Sequence, residues 1–572
     1  DVPGLANLLT NPDPNVRRLA AELLPGVSEV PDGAVDPLAM ALDDEDERVR
    51  VTAANALGVA GPKAGPAAEK LAGAIRKTYP LRYDERVGWD EGAEVAYWQA
   101  LAQIGEPGVA ALSGLLEHSN VIVRYYATLV LGEIGPPAKA AAAALQKRLS
   151  DQQEHGQVRL GAASALCRIG ANTDEAAALV KQALDTPLAR FAIDAIPRMG
   201  PAGKPLIPLA LEKLTSDDPN ARYAAVRLVG ALEPDDVAKA VPELAKLVND
   251  PEPLIRRRVG AVLEKLGPAA GPAAAALGKQ IQSELDEVAR DQYVDALIAM
   301  GPGAKPAAAV LVQLIDEPDL AQSMRLRVIA AAAVADPASP AVASAVVKAS
   351  GDRDEAVRAA AASAIGKLNP LPADALAVLI KLAKSDPRYP PRLAAVRALA
   401  EAGPRAKAAR ADLETLTKGT MPGVALWAKV ALAAVDGDVR TATGVIRAGL
   451  SDADGQVREA AAEALILIGP TPSDLPALTA MLKGPAGKAA AARAIGRLGP
   501  AAKEAVPRLS DLLEDRDSGA RVAAAEALGQ IGAPAATPAI PKLQAALKDP
   551  LVEPTARKAL EKLGVKENRG KK

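Results

Sequence analysis

"VRVTAANALGVAGP", residues 49 to 62, decides the fold. Its apolar side chains Val49, Ala53, Ala54, Leu57 and Ala60 step by three and four residues, the 3.6-residue period of one buried helix face. Gly61-Pro62 then ends the helix, since Gly accepts the left-handed position after a helix and Pro cannot continue the turn. The same string returns as "VRLGAASALCRIG" (158 to 170), "VREAAAEALILIGP" (457 to 470) and "ARVAAAEALGQIG" (520 to 532). With the Arg place as anchor, the series runs 17, 50, 94, 124, 159, 189, 222, 256, 290, 327, 358, 392, 426, 458, 488, 521 and 553, seventeen units with a mean period of 33.5 residues.

Between one stop and the next anchor lies a second amphipathic segment, such as "AAKEAVPRLSDLLED", whose Pro507 is tolerated in a first helical turn. Each unit is therefore a helical hairpin, and no hairpin can bury its apolar face alone. Ala at anchor +3 and +4 admits a neighbouring helix, and Leu or Ile at +7 and +10 fills the space between. The pattern predicts an all-α, right-handed superhelix of about seventeen hairpins over residues 1–564, with no sheet and with a basic, disordered tail at 565–572.

The strings "DxxxVRxxAAxALxxIGP" resemble HEAT repeats, in particular the short bacterial HEAT-like class named after phycobilisome lyases; ankyrin "TPLHxA" and the tetratricopeptide Trp-Leu-Gly-Tyr pattern are absent from these units. The resemblance covers essentially the whole chain and implies a protein-binding scaffold without a catalytic centre. It leaves two other implied readings open: a bilin-lyase-like protein that handles a linear tetrapyrrole, and a nucleic-acid-binding HEAT-like protein, for which "IRRRVG" at 255 to 260 is the basic cluster.

Composition narrows the field. The 572 residues carry 68 basic and 70 acidic side chains, so a net charge of −2 supplies no global field for nucleic acid or an anionic membrane. Residues 1 to 120 hold nine Asp and ten Glu against three Lys and seven Arg, net −9, which leaves +7 for residues 121 to 572. No apolar run reads as a membrane span. The one cysteine, Cys167 in "SALCRIG", excludes an intrachain disulfide and reads as a buried small hydrophobe. His118 and His155, the only histidines, read as exposed loop residues and cannot supply paired His-Glu metal sites. "GPAGKA" (484 to 489) lacks the first Gly and the Ser/Thr of a phosphate loop. No cofactor or metal is implied. The chain opens at Asp1 inside a helical pattern and reads as a piece of a longer protein.

Two features carry the functional expectation. Seven units place Asp four residues before the anchor Arg, at Asp13/Arg17, Asp46/Arg50, Asp218/Arg222, Asp286/Arg290, Asp354/Arg358, Asp454/Arg458 and Asp517/Arg521, which predicts helix capping and a ladder of Arg-Asp pairs that sets the stacking register. Exposed +1 and +5 places, among them Tyr125, Tyr223, Trp427, Arg227, Arg397 and Arg493, are expected to line the concave wall. The interval from anchor 50 to 94 is 44 residues, so "TYPLRYDERVGWDEG" holds an insertion near 78–93 at the turn of one hairpin, on the rim. Its aromatics either pack down as a cover or stay exposed as a hot spot. The predicted protein-binding set is Tyr79, Arg82, Tyr83, Arg86, Trp89, Tyr97, Trp98, Tyr125 and Tyr126, with no membrane partner and with nucleic acid disfavoured as a partner.

Overall fold

The computed structural model describes residues 2–24, 30–78, 93–232, 237–484 and 486–565. Among these residues every regular element is an α-helix or a 3-10 turn, and no strand occurs. The chain divides into two compact units, Asp1–Val262 and Leu263–Lys572. The tail proposed from residue 565 lies almost wholly outside the described residues.

Each unit is a succession of hairpins made from a short first helix and a longer second one, as in Val109–Leu115 with Val121–Ile134, or Val506–Leu512 with Ser518–Ile531. Several of the short helices, among them Val241–Leu247, Leu475–Met481, Val506–Leu512 and Ile540–Ala546, carry Pro in the first turn, as Pro507 does. The long helices start at a side-chain cap: Asp13, Asp46, Asp218, Asp286, Asp354, Asp454 and Asp517 each accept a hydrogen bond from a backbone N–H two or three residues on. All seven Asp of the expected pairs are thus caps.

The stops between hairpins are sharper than a left-handed cap. Gly61 and Gly301 take φ 58° with ψ −136° and φ 57° with ψ −132°, a region that only glycine occupies without strain. The chain then runs through a 3-10 link, Gly61–Ala67 or Gly301–Ala307, whose alanines Ala64, Ala67, Ala304 and Ala307 are buried. This break also resolves Glu287–Ile315, one stretch long and apolar enough on average to count as a candidate membrane span. It is two helices, Glu287–Met300 and Ala308–Ile315, separated at Gly301.

The ladder exists, but its carboxylate is not the capping Asp. Arg358 donates through Nε and Nη2 to both oxygens of Asp386 in the next hairpin turn, at 2.8 and 3.0 Å, while its Nη1 reaches the carbonyls of Asp352 and Arg353 in its own turn, at 3.0 Å each. Arg222 with Asp250 and Arg521 with Asp549 repeat the arrangement, and Arg17 with Asp44 and Arg124 with Glu154 follow it closely. Lys488 pairs Asp515 at 2.5 Å, so a lysine at the anchor also completes a rung. Arg50 and Arg458 bond the carbonyls of their own turns. The rung acids Asp44, Asp352 and Asp515 stand two residues before the caps Asp46, Asp354 and Asp517, so each of these Asp-x-Asp strings divides its labour. The run "DDEDE" is accordingly bound up in pairs: Lys77 holds Asp43, and Arg17 holds Asp44 and Glu45.

Close packing of the long helices uses positions the pattern did not single out. A Cβ added to Gly366, at +8, would lie 2.9 Å from the Cα of Ala398, at +6 of the next long helix, and Gly529 stands in the same way 2.9 Å from the Cα of Ala559. Two anchors shift. Arg325, not Arg327, reaches the turn carbonyl of Glu317 and the rung carboxylate of Asp352. The helix Pro422–Val435 buries Trp427 at 3% exposure, in the place where other units carry the +3 Ala.

Burial alone would raise the carboxyl of Asp386, yet the Arg358 hydrogen bonds and the Arg388 amide outweigh it and hold it below the usual carboxylate range. A carboxylate depressed in the fold stabilises above its unfolded value, and that contribution is lost as pH falls toward the folded value. Asp386→Ala, which orphans a buried guanidinium, is expected to cost about 3 kcal/mol, and Asp354→Ala, which removes a cap, about 1 kcal/mol. Amide exchange over residues 350–400 measures both, and equal losses would contradict the division of roles. Gly366→Ala is expected to weaken protection in the same region, although Ala is the better helix former by about 1 kcal/mol, because its Cβ meets backbone.

Candidate functional site

In sequence the insertion falls between the helices Ala68–Thr78 and Ala93–Ile104. Tyr79, Arg82, Tyr83, Arg86 and Trp89 fall outside the described residues. Those of the same set that follow it are well placed. Tyr97 and Trp98 are core residues, 1% and 6% exposed, because they stand on the face of Ala93–Ile104 that packs against Glu47–Ala60 and Val121–Ile134. Burial pushes the Tyr97 phenol up, with the Arg50 guanidinium beside it pulling the other way. Trp98 stacks on Tyr126 at 5.7 Å between ring centres, and Tyr126 meets Tyr125 edge-on at 5.8 Å. Tyr97 and Trp98 therefore leave the partner-facing set, while Tyr125 and Tyr126 are half-buried at its edge.

The long helices line the concave side, shown by side chains that touch across a whole intervening hairpin: Arg198 Nη1 lies 3.5 Å from Tyr125 Oη, and Arg397 bonds Glu463 at 2.9 Å. Only where hairpins converge can alternate neighbours meet. In the first unit this wall carries Tyr125, Arg168, Arg190, Asp194, Arg198, Tyr223 and Arg227 at the +1, +5 and +9 places of successive helices. Asp194 sits among three of these arginines, with Arg227 Nη2 at 3.5 Å; burial raises its carboxyl, and Arg227, Arg198 and Arg190 draw it back. Arg190 lies over the Phe191 ring at 4.4 Å. Arg168 covers Gly200, where a Cβ would come within 3.1 Å of its Nη1.

Sequence reading found Tyr125, Tyr223 and Arg227 of this wall and missed Arg168, Arg190, Asp194 and Arg198. The signal was available in "RFAIDAIPR", where Arg190, Asp194 and Arg198 recur every fourth residue and so share one helix face.

In the second unit several concave side chains pair with one another. Arg327 bridges Asp291 and Asp295 at 2.8 and 2.5 Å, and Lys558, on the last long helix, reaches Glu264 at 2.9 Å. Arg397 both bonds Glu463 and covers the buried Trp427 ring at 5.4 Å, so Trp427 does not face a partner. Burial pushes the Tyr389 phenol to about 12, helped by Glu459, Glu463 and Asp454.

The histidines and the cysteine are accounted for locally. His118 Nδ1 accepts from the Asn120 amide and His155 Nδ1 from the Gln157 amide, the turn and cap roles that Asp fills elsewhere. His118 is half-buried rather than exposed, and burial, with Arg76 and Arg124 nearby, lowers its pKa. Cys167 is buried, and burial pushes its thiol up to about 11.

The family model for HEAT repeats matches residues 2–83, 109–196, 207–298, 308–400 and 484–564. Among solved structures, one reporting Kap95p binding to RanGDP is similar with 14% identity and a TM-score of 0.47, over 98% of this chain and 87% of that one. Importin beta gives 14% identity and a TM-score of 0.42, over 99% and 82%. Human deoxyhypusine hydroxylase gives 20% identity and a TM-score of 0.31, over 46% of this chain and 97% of that one. Likeness this remote adds nothing beyond the helical-repeat character already described. No curated protein matches the chain.

Trp98→Ala is expected to cost about 3 to 5 kcal/mol through the cavity it leaves, with loss of amide protection in the flanking helices. A variant of unchanged stability would contradict the core placement.

Proposed function

The chain belongs to the HEAT-repeat family, and we propose that it is a non-enzymatic protein-binding scaffold that grips its partner with the concave wall of the first unit and with the aromatic insertion on the rim. Among HEAT proteins we place it with the short bacterial phycobilisome-lyase-type class, on the strength of its "VRxxAAxALxxIGP" strings.

The observation that carries the proposal is a contrast in how side chains are used. Anchor arginines, capping aspartates and the apolar face are all engaged in stacking, whereas Arg190 and Arg198 point from the first concave wall with their surfaces open. Guanidinium groups gathered on one exposed wall, held only by a ring contact at Arg190 and a long bond from Arg198 to Tyr125, are suited to recognition. The insertion adds a second kind of contact surface. Tyr79, Tyr83 and Trp89 with Arg82 and Arg86 have the composition of an interaction hot spot, and the hairpin turn is where extra residues leave the stack undisturbed.

The double substitution Trp89→Ala with Tyr83→Ala is expected to lower affinity for a partner recovered by cross-linking from the source cell by roughly tenfold or more. Circular dichroism and the melting profile are expected to stay unchanged. Normal binding by the variant, or unfolding of the first hairpins, would show the insertion to be structural only.

A further inference from the structure

Among the described residues, one polar surface carries charges that face each other across neighbouring hairpins without cancelling. In the first unit Arg168, Arg190, Arg198 and Arg227 outnumber the two carboxylates at the same helix places, Asp194 among them and Glu133 at the +9 place of the helix that carries Tyr125, and Tyr223 stands on the same face. The Asp194–Arg227 approach of 3.5 Å is loose, and Arg190 and Arg198 are exposed. By contrast, the second unit pairs Arg327, Arg397 and Lys558 with its own acids.

We infer that this wall of the first unit binds an extended acidic peptide segment, whose carboxylates meet Arg190, Arg198 and Arg227 while Asp194 accepts from a backbone N–H of the same segment. The inference rests on the protein-binding reading and names the chemistry of the partner.

Three features favour a peptide over a phosphate backbone. A nucleic acid needs a continuous basic track, and the wall breaks its own track with Asp194. A carboxylate lodged between arginines repels a closely set row of phosphates but suits a chain that alternates acids with amide donors. The tyrosines add flat, half-buried surface and hydroxyls, which serve side-chain packing along a peptide. The arginines also repeat at the spacing of neighbouring helices, so an extended chain crossing the hairpins meets one or two of them per layer.

The test uses the full chain and fluorescein-labelled decapeptides of alternating Glu and Gly, with the Gln-Gly peptide and a ten-nucleotide single-stranded DNA as comparisons, followed by anisotropy at two salt concentrations. The Glu peptide is expected to bind roughly tenfold or more tightly than the Gln peptide and to weaken with salt. Arg190→Glu with Arg198→Glu should reduce binding by a similar factor, and Arg508→Glu, far along the chain in the second unit, should not. Asp194→Asn should tighten binding of the Glu peptide, a gain that misfolding cannot produce.

Equal binding of the two peptides, tighter binding of the DNA, or a loss on Asp194→Asn would overturn the inference. If the cross-linked partner is still held by the Arg190→Glu, Arg198→Glu variant, the scaffold reading stands and this assignment of the wall falls. If the partner is lost from the Trp89→Ala, Tyr83→Ala variant while the Glu peptide still binds, the wall stands and the rim is where that partner is recognised.

Discussion

The stack depends on one guanidinium doing two jobs at once. Arg358 ties down the carbonyls of its own turn, which the turn geometry leaves without helical partners, and with its remaining donors it holds a carboxylate one hairpin further on. The planar fork makes this possible, since its donors point in fixed directions and the two acceptor sets lie in two different hairpins. A contact of this kind specifies register more than it supplies energy. It relates each hairpin to the next, and apolar burial then follows in the right alignment, with Leu528 and its equivalents wholly enclosed.

Periodicity made the helices, their order and their stops readable, because a 3.6-residue apolar pattern interrupted by Gly-Pro has few other meanings. The identity of the rung was harder to read. Asp354 and Asp352 are chemically alike and two residues apart, and only the turn shows that one oxygen set faces its own helix amides while the other faces the preceding hairpin. Trp427 was misplaced for a related reason: the repeat anchored on Leu426 by composition, and a shift of two residues carries a side chain from the concave wall into the core. Tyr97 and Trp98 were drawn into the partner-facing set by their closeness in sequence to the insertion, although they stand on a helix whose face was already committed to packing.

The two concave walls use the same three helix positions to opposite ends. In the second unit, complementary charges at +5 places satisfy one another across a hairpin, as Arg397 and Glu463 do. In the first, three arginines gather around Asp194. Neither outcome affects the stack, since these positions lie off the buried face, so the wall is free to vary while the scaffold stays constant.

The reach of Lys558 back to Glu264 has a topological consequence. Both side chains are accessible and the pair itself is worth little, so it reports the curvature of the second unit without causing it. Eight hairpins lie between the two residues, nine steps along the stack, and at about 9 to 10 Å per layer the path that joins them is only about 90 Å long. Over so short a path the inner ends of the hairpins are drawn together while the outer ends fan apart, so a substitution on the inner face is felt by hairpins remote in sequence, and one on the outer face only by its immediate neighbours.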